Sequence, residues 1–231
     1  MPSHGRMNRK VREAVQAERS RLQKGTTIMN FPIRPILNFI DLDGTLTDNR
    51  HRTHLRESDP AAYLKARVDD TASPLSFEYQ ETVDALLKKE THIVGAPFSH
   101  HRILMTDRPM CAARETFKLL NERGISDRIR FDSYSFRTSV KPSPDDKLAR
   151  ILALTTHLMS QRTQPWLVAV VVVDDRLEAL DAVQIAAKKG LFGVQHVACI
   201  HVQQDFTLKL ASYMHYITPD DQHCFQDPLW T

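Results

Sequence analysis

At 231 residues, with 26% charged and 42% hydrophobic side chains and only seven glycines, the chain suits one domain with a sizeable core and at most a small appendage. Its longest apolar run, 166–173, falls far short of the roughly 18 residues a bilayer span needs, so no transmembrane helix is expected. Three widely spaced cysteines (Cys111, Cys199, Cys224) and an N-terminus without a signal-peptide core predict a reducing, intracellular (cytoplasmic) location.

The net charge of +3 hides an asymmetry. Residues 1–24 hold seven Lys/Arg against Glu13 and Glu18, a net +5, which leaves −2 for the remainder. Residues 1–30 read as a basic arm, either a tether toward a polyanion or a solvated, partly helical tail. Beyond it, strand and helix patterns alternate through a domain expected over 31–204. A buried strand is expected at 36–41 and a helix at 76–90 with Tyr79, Val83, Leu86 and Leu87 on one face. A short strand over 102–106 precedes a helix that opens near Pro109, buries Met110, Ala113, Phe117 and Leu120, and stops at Gly124. A weaker strand is expected at 128–136. Pro144, Asp145 and Asp146 open a helix over 144–160, acids being favourable at a helix N-terminus. The Val-rich run 167–173 reads as the centre of a parallel sheet. A helix carrying Leu177, Leu180, Val183 and Ala187 follows and closes at Gly190, and a further strand covers 197–202. Residues 205–231 are expected to form a C-terminal extension, irregular from 218. The alternation predicts an α/β fold with a mostly parallel central sheet and helices on both faces. Ligands in such sheets bind beyond the carboxyl ends of the strands.

Asp41, Thr106 and Asp174 all fall at such ends. The segment 36–48 is the most informative, because Asp41 and Asp43 lie two apart where an apolar strand breaks at Gly44 and Thr45. Gly44 lets the backbone leave the sheet, so both carboxylates reach one rim. A calcium loop also begins Asp-x-Asp, but it requires Gly at its sixth position and Glu at its twelfth. Here Gly44 is fourth and Arg52 twelfth, which excludes an EF-hand.

Asp41-Leu-Asp43-Gly-Thr resembles motif I of the haloacid dehalogenase-like (HAD) superfamily of phosphoryl-transfer enzymes. The resemblance implies a Rossmann-like three-layer α/β/α fold and a phosphatase in which Asp41 attacks phosphorus. Asp43 then protonates the leaving oxygen and activates water, a role eased where a neighbouring charge raises its pKa. Asp174-Asp175-Arg176 is similar to motif IV, implying Mg²⁺ held by Asp175, Asp41 and the Asp43 carbonyl, with Asp174 supporting from behind. Thr106, ending Ile-Leu-Met-Thr, resembles motif II, where a hydroxyl holds a phosphate oxygen. Arg108 reads as a bidentate phosphate contact or as a surface ion-pair partner. For the motif III lysine two residues remain open. Lys141, in Lys-Pro-Ser-Pro-Asp, is slightly favoured over Lys147, which follows an Asp-Asp pair.

The gaps 49–75 and 137–143 leave room for little or no cap domain, so an open site is expected. Asp48-Asn-Arg50-His51-Arg52, Asp59-Pro-Ala-Ala-Tyr63, Asp69-Asp70 and the Thr-Asp-Arg and Asp-Asp-Arg triplets are similar to the phosphatase domain of polynucleotide kinase-phosphatases. That likeness implies Arg52 and Arg176 as further substrate contacts and nucleic-acid 3′-phosphate ends as substrate. No Gly-x-x-x-x-Gly-Lys-Ser/Thr occurs in the sequence, so no kinase half is expected. The alternatives are a phosphatase of nucleotides or sugar phosphates, and a non-catalytic HAD-like binding module. The oligomeric state is not written in the sequence.

Overall fold

The computed structural model describes residues 34–91, 98–137, 143–160 and 169–216. Chain contacts divide the protein into Met1–Ile33 and Arg34–Thr231, and the described residues all belong to the second unit. The basic arm, Lys141 and the tail beyond 216 lie outside the described residues.

The unit is α/β, built on a six-stranded, mostly parallel sheet in the order β5-β4-β1-β6-β7-β8. The strands are β1 (Arg34–Ile40), β4 (Phe98–Pro109), β5 (Ser133–Arg137), β6 (Ala169–Asp174), β7 (His196–Val202) and β8 (Leu208–His215). All neighbours run parallel except β7 and β8. A small antiparallel ribbon pairs β2 (Thr47–Asp48) with β3 (Thr71–Ala72). Between these two come the short helices α1 (Arg50–Thr53), α2 (Leu55–Ser58) and α3 (Pro60–Lys65). The longer segments are α4 (Leu75–Glu90), α5 (Ala113–Glu122), the single turn α6 (Ile125–Arg128), α7 (Pro144–Ser160) and α8 (Leu177–Lys188).

β1 shows why the helices divide between two faces. Side chains alternate across a strand, so Ile36 and Ile40 join a core with Tyr79, Val83 and Leu87 of α4, Leu120 of α5 and Ile125 of α6. Leu37 and Phe39 point the other way and pack with Ile151 of α7 and Leu180, Val183 and Ala187 of α8. β1 and β6 sit centrally, buried on both sides; β6 is Val-rich throughout, and β1 is apolar over Ile36–Ile40 except for the buried Asn38. None of the helices among the described residues is long and apolar enough to cross a membrane.

Several sequence expectations shift. Pro109 ends β4 rather than opening a helix. A 3-10 turn, Met110–Ala112, intervenes, and α5 buries Thr116, Leu119 and Leu120. That rotation leaves Met110 56% and Phe117 37% exposed, contrary to the expected face. Leu177, at the first residue of α8, is also exposed, while Leu180, Val183 and Ala187 are buried as expected. The strand expected at 128–136 begins only at Ser133, because the residues after Gly124, in the left-handed region at φ +65°, form the α6 turn instead. Within the expected C-terminal extension, Leu208–His215 completes the sheet as β8.

Candidate active site

β1 and β6 place Asp41 and Asp174 side by side, since the two strands pair in parallel register from Ile36–Ala169 to Ile40–Val173 and the Asp41 amide donates to Val173 O at 2.9 Å. Immediately after Asp41 the chain turns sharply. Leu42 O accepts from the amides of Leu46 (3.0 Å) and Thr47 (2.9 Å) and from the Thr47 hydroxyl (3.1 Å), and Gly44 donates to Thr47 O at 2.9 Å. Gly44 makes the turn with φ +89°, a conformation L residues rarely adopt. It also leaves space for β6's terminus, because a Cβ on Gly44 would lie 2.8 Å from Asp175 Cγ. One glycine therefore serves both the turn and the approach of a second acid.

The carboxylates of Asp41, Asp174 and Asp175 each offer an oxygen within 4.8 Å of the others. Among them projects Lys147, fully buried, whose Nζ donates to Asp41 Oδ1 at 2.6 Å and to Asp174 Oδ2. Lys147 belongs to the first turns of α7, where Ser143 Oγ accepts from the Asp146 amide as an N-terminal cap. A helical side chain leans toward its own N-terminus, which delivers the ammonium to the rim. Of the two lysines weighed from sequence, the structure brings Lys147 into the cluster. Lys141 lies outside the described residues.

Burial raises the pKa of Asp41 well above the ordinary carboxylate range. Lys147 opposes the shift, while Asp174 and Asp175 add to it. Burial and the neighbouring Asp174 push Asp175 up to about 7. For Lys147 burial works against the charge, but Asp174 and Asp41 outweigh it and hold the ammonium protonated. One lysine thus compensates only part of three carboxylates. A divalent cation fits that deficit and the all-oxygen donor set, whereas soft-metal ligands are absent from the cluster.

Asp43 faces a second, arginine-rich group. Its carboxylate accepts from Arg108 Nε (3.0 Å to Oδ2) and Nη2 (2.6 Å to Oδ1) and from Arg52 Nη2 at 2.8 Å. Both guanidinium groups are also held by the fully buried Asp70, Arg52 through Nε and Nη2 at 2.6 Å each and Arg108 through Nη2 at 2.8 Å. The sign expected for Asp43 is thereby reversed. Although burial would raise its pKa, Arg108 and Arg52 dominate and lower it to about 2. Arg52 further lies 4.3 Å over the Tyr63 ring.

Thr106 is buried near the end of β4, and its hydroxyl accepts from the amide of the likewise buried Arg108 at 3.1 Å. Asp107 ties β4 to α7, to the turn after β6 and to the end of β5. It accepts from Arg150 Nη2 at 2.8 Å and from Arg176 Nη2 at 2.6 Å, while its carbonyl accepts from Arg137 Nε at 2.8 Å. Arg176 also donates its amide to Asp174 Oδ1 at 3.0 Å. Part of this arrangement lines a cavity of about 370 Å³, whose wall includes Asp41, Asp43, Asp175, Arg108 and Arg176. Its outer wall comes from the α1–α3 segment and the turn after it, through Arg52, Arg56, Tyr63, Leu64 and Arg67.

Of the strand-end residues singled out from sequence, Asp41, Asp174 and Asp175 come together with Lys147 of α7, while Thr106 is linked to the site through Arg108, whose amide its hydroxyl holds. Asp70 and Asp107 were legible only as members of charged triplets and pairs, since nothing local marks a carboxylate that clamps arginines from distant elements. No protein-family model matches this chain, nor does any curated protein sequence.

Proposed function

We propose that the protein is a Mg²⁺-dependent phosphomonoesterase of HAD type, a Rossmann-like domain with a minimal cap, working through an aspartyl-phosphate on Asp41. The observation that carries this reading is the packing of Asp41 against Lys147, Asp174 and Asp175 at the carboxyl edge, beside an Asp43 held by two arginines. Asp41, Asp175 and the Asp43 carbonyl would hold the cation, with Asp174 fixed behind by Lys147 and the Arg176 amide. When bound, the ion offsets the charge of phosphate oxygens approaching a cluster of acids.

The remaining chemistry belongs to the chain. An Asp41 oxygen forms a bond to phosphorus as the ester P–O bond breaks, and Lys147 neutralises the acyl-phosphate side of the intermediate. An arriving phosphate competes with Asp43 for Arg52 and Arg108. Their shift onto phosphate oxygens removes the charges that hold Asp43 ionised, so Asp43 takes up a proton from solvent and passes it to the leaving oxygen. It later accepts one from the water that attacks phosphorus as the Asp41 O–P bond breaks, which releases inorganic phosphate.

The outer wall bears on the substrate. Arg56, Arg67, Tyr63 and Leu64 combine cationic groups with a ring and an apolar side chain, a surface suited to the sugar-phosphate and base of a nucleic-acid 3′ end. A cavity of about 370 Å³ is also within the range of small-ligand sites, which favours a free nucleotide as the second reading. The test is phosphate release with and without Mg²⁺ from 3′-phosphorylated DNA and RNA, 5′-phosphorylated ends, free nucleotides and an aryl phosphate. Asp41→Asn should abolish every activity. Equal activity in that variant overturns the proposed nucleophile, and preference for free nucleotides by orders of magnitude selects the second reading.

A further inference from the structure

A second cleft, of about 310 Å³, is lined by Tyr79, Gln80, Arg102, Arg128, Ile129 and Arg130 and shares no residue with the catalytic cavity. It lies on the α4 face of the sheet, beside the first half of β4 and the turn leading into β5, whereas Asp41 sits at the carboxyl edge.

Its chemistry is one-sided. Arg102 spends both Nε (2.9 Å) and Nη2 (2.6 Å) on the neutral Gln80 Oε1. Arg128 donates to the Arg123 carbonyl at 3.3 Å and stacks 3.8 Å over the Phe77 ring. Arg130 is exposed. Among the described residues none of the three guanidinium groups is ion-paired with a carboxylate. The acids beside the wall meet other groups of it and not its guanidinium groups, Asp84 accepting from Gln80 Nε2 and facing His100, and Asp132 accepting from the Arg102 amide. The wall adds a second signal. Tyr79 is buried, yet its hydroxyl has no hydrogen-bond partner among the described residues. A buried hydroxyl without a partner is destabilising, and a structural tyrosine here would be better as phenylalanine. Three uncompensated guanidinium groups beside a donor lacking an acceptor call for an oxyanion with several acceptor oxygens.

We propose that this cleft is a second phosphate-binding site, taking the oxygens of a phosphate ester other than the one attacked at Asp41. It is independent of the proposed activity. The phosphate can belong to a polynucleotide backbone or to a free phosphorylated small molecule, and two probes separate these sources. One is a labelled single-stranded oligonucleotide with a 3′-hydroxyl, which offers no scissile monoester, and the other is inorganic phosphate.

The full-length protein is compared with Arg128→Ala/Arg130→Ala, Arg130→Glu and Tyr79→Phe. For a backbone ligand, the double variant should lose about tenfold or more in oligonucleotide affinity. Its salt dependence, log K against log salt, should flatten by about 1.4 for two lost contacts. For a free ligand, oligonucleotide binding is unchanged but calorimetric phosphate stoichiometry falls by one site relative to wild type. Arg130→Glu, with no contact to disturb, should reproduce the weaker binding if the double variant misfolds. Tyr79→Phe should weaken the same probe without lowering the melting temperature. All variants should turn over an aryl phosphate as wild type does, which keeps this test separate from that of Asp41. Wild-type binding of both probes by the arginine variants, or by Tyr79→Phe, overturns the assignment.

Discussion

Replacing Lys147 with Met tests whether the acidic cluster is held together as the geometry indicates. The side chain is fully buried and bridges Asp41 at 2.6 Å and Asp174, so methionine keeps much of the volume while removing the only ammonium between them. Breaking a buried ion pair by removing one partner costs about 3–5 kcal/mol, because the other charge stays buried without compensation. For a domain of this size that corresponds to a fall of about 6–20 °C in melting temperature. The assay is urea unfolding followed by circular dichroism in chelator and again with Mg²⁺. The three carboxylates within 4.8 Å of one another lose their competing cation in the variant. Added Mg²⁺ should therefore restore part of the loss, about 2.7 kcal/mol at a hundredfold excess over its Kd. A variant within about 1 kcal/mol of wild type in chelator, the threshold set by ordinary surface pairs, would refute the claim that Lys147 neutralises this cluster.

Gly44→Ala should lose about 1–3 kcal/mol from backbone strain at φ +89° and, by displacing Asp175, should abolish Mg²⁺ stimulation of phosphate release. Wild-type Mg²⁺ dependence in that variant would contradict the close approach of β6 to the turn. Asp70→Asn should reduce kcat/KM by up to about a hundredfold with Asp41 untouched, since Arg52 and Arg108 lose their buried anchor; unchanged kinetics would assign Asp70 to stability alone. Cys199 offers a pH test. Burial raises its thiol to about 11 from an ordinary 9.0, with Asp181 and Asp174 adding to the shift and a Ser212 hydrogen bond opposing it. The folded state therefore binds the thiol proton more tightly than the unfolded state, and its contribution is full below pH 9 and lost toward pH 11. That difference amounts to about 2–3 kcal/mol, and Cys199→Ala should remove it. A wild-type stability slope equal to that of the variant between pH 9 and 11 would count against the reading.

How far the sequence could be read depended on whether its signals were local. β6 declares itself because a strand buried on both faces needs an unbroken apolar run, β1 because its apolar residues outweigh the single buried Asn38, and α4, α7 and α8 because their burial follows the helical period. The strand-end acids follow from those elements. What sequence could not supply were contacts between elements far apart in the chain. Asp70 is fully buried, yet it reads as an ordinary surface acid beside Asp69 until Arg52 and Arg108 are seen to close on it. The same contacts explain the reversed expectation for Asp43, on which arginines 9 and 65 residues away outweigh burial. Lys147 outranks other lysines only once the start of α7 fixes where its side chain leans. Phe117 and Met110 misled because the 3-10 turn resets the phase of α5. In β8 the alternation Leu208, Leu210 was present, but a lone edge strand after a loop carries little signal against the polar residues around it.

The central claim is that Asp41 becomes covalently phosphorylated. Its most direct test is acid quenching of the enzyme during turnover of a phosphate-labelled 3′-phosphorylated oligonucleotide, followed by peptide mapping. The account predicts hydroxylamine-labile label on the peptide containing Asp41, absent from Asp41→Asn. Turnover without label, or label on any other residue, would contradict it.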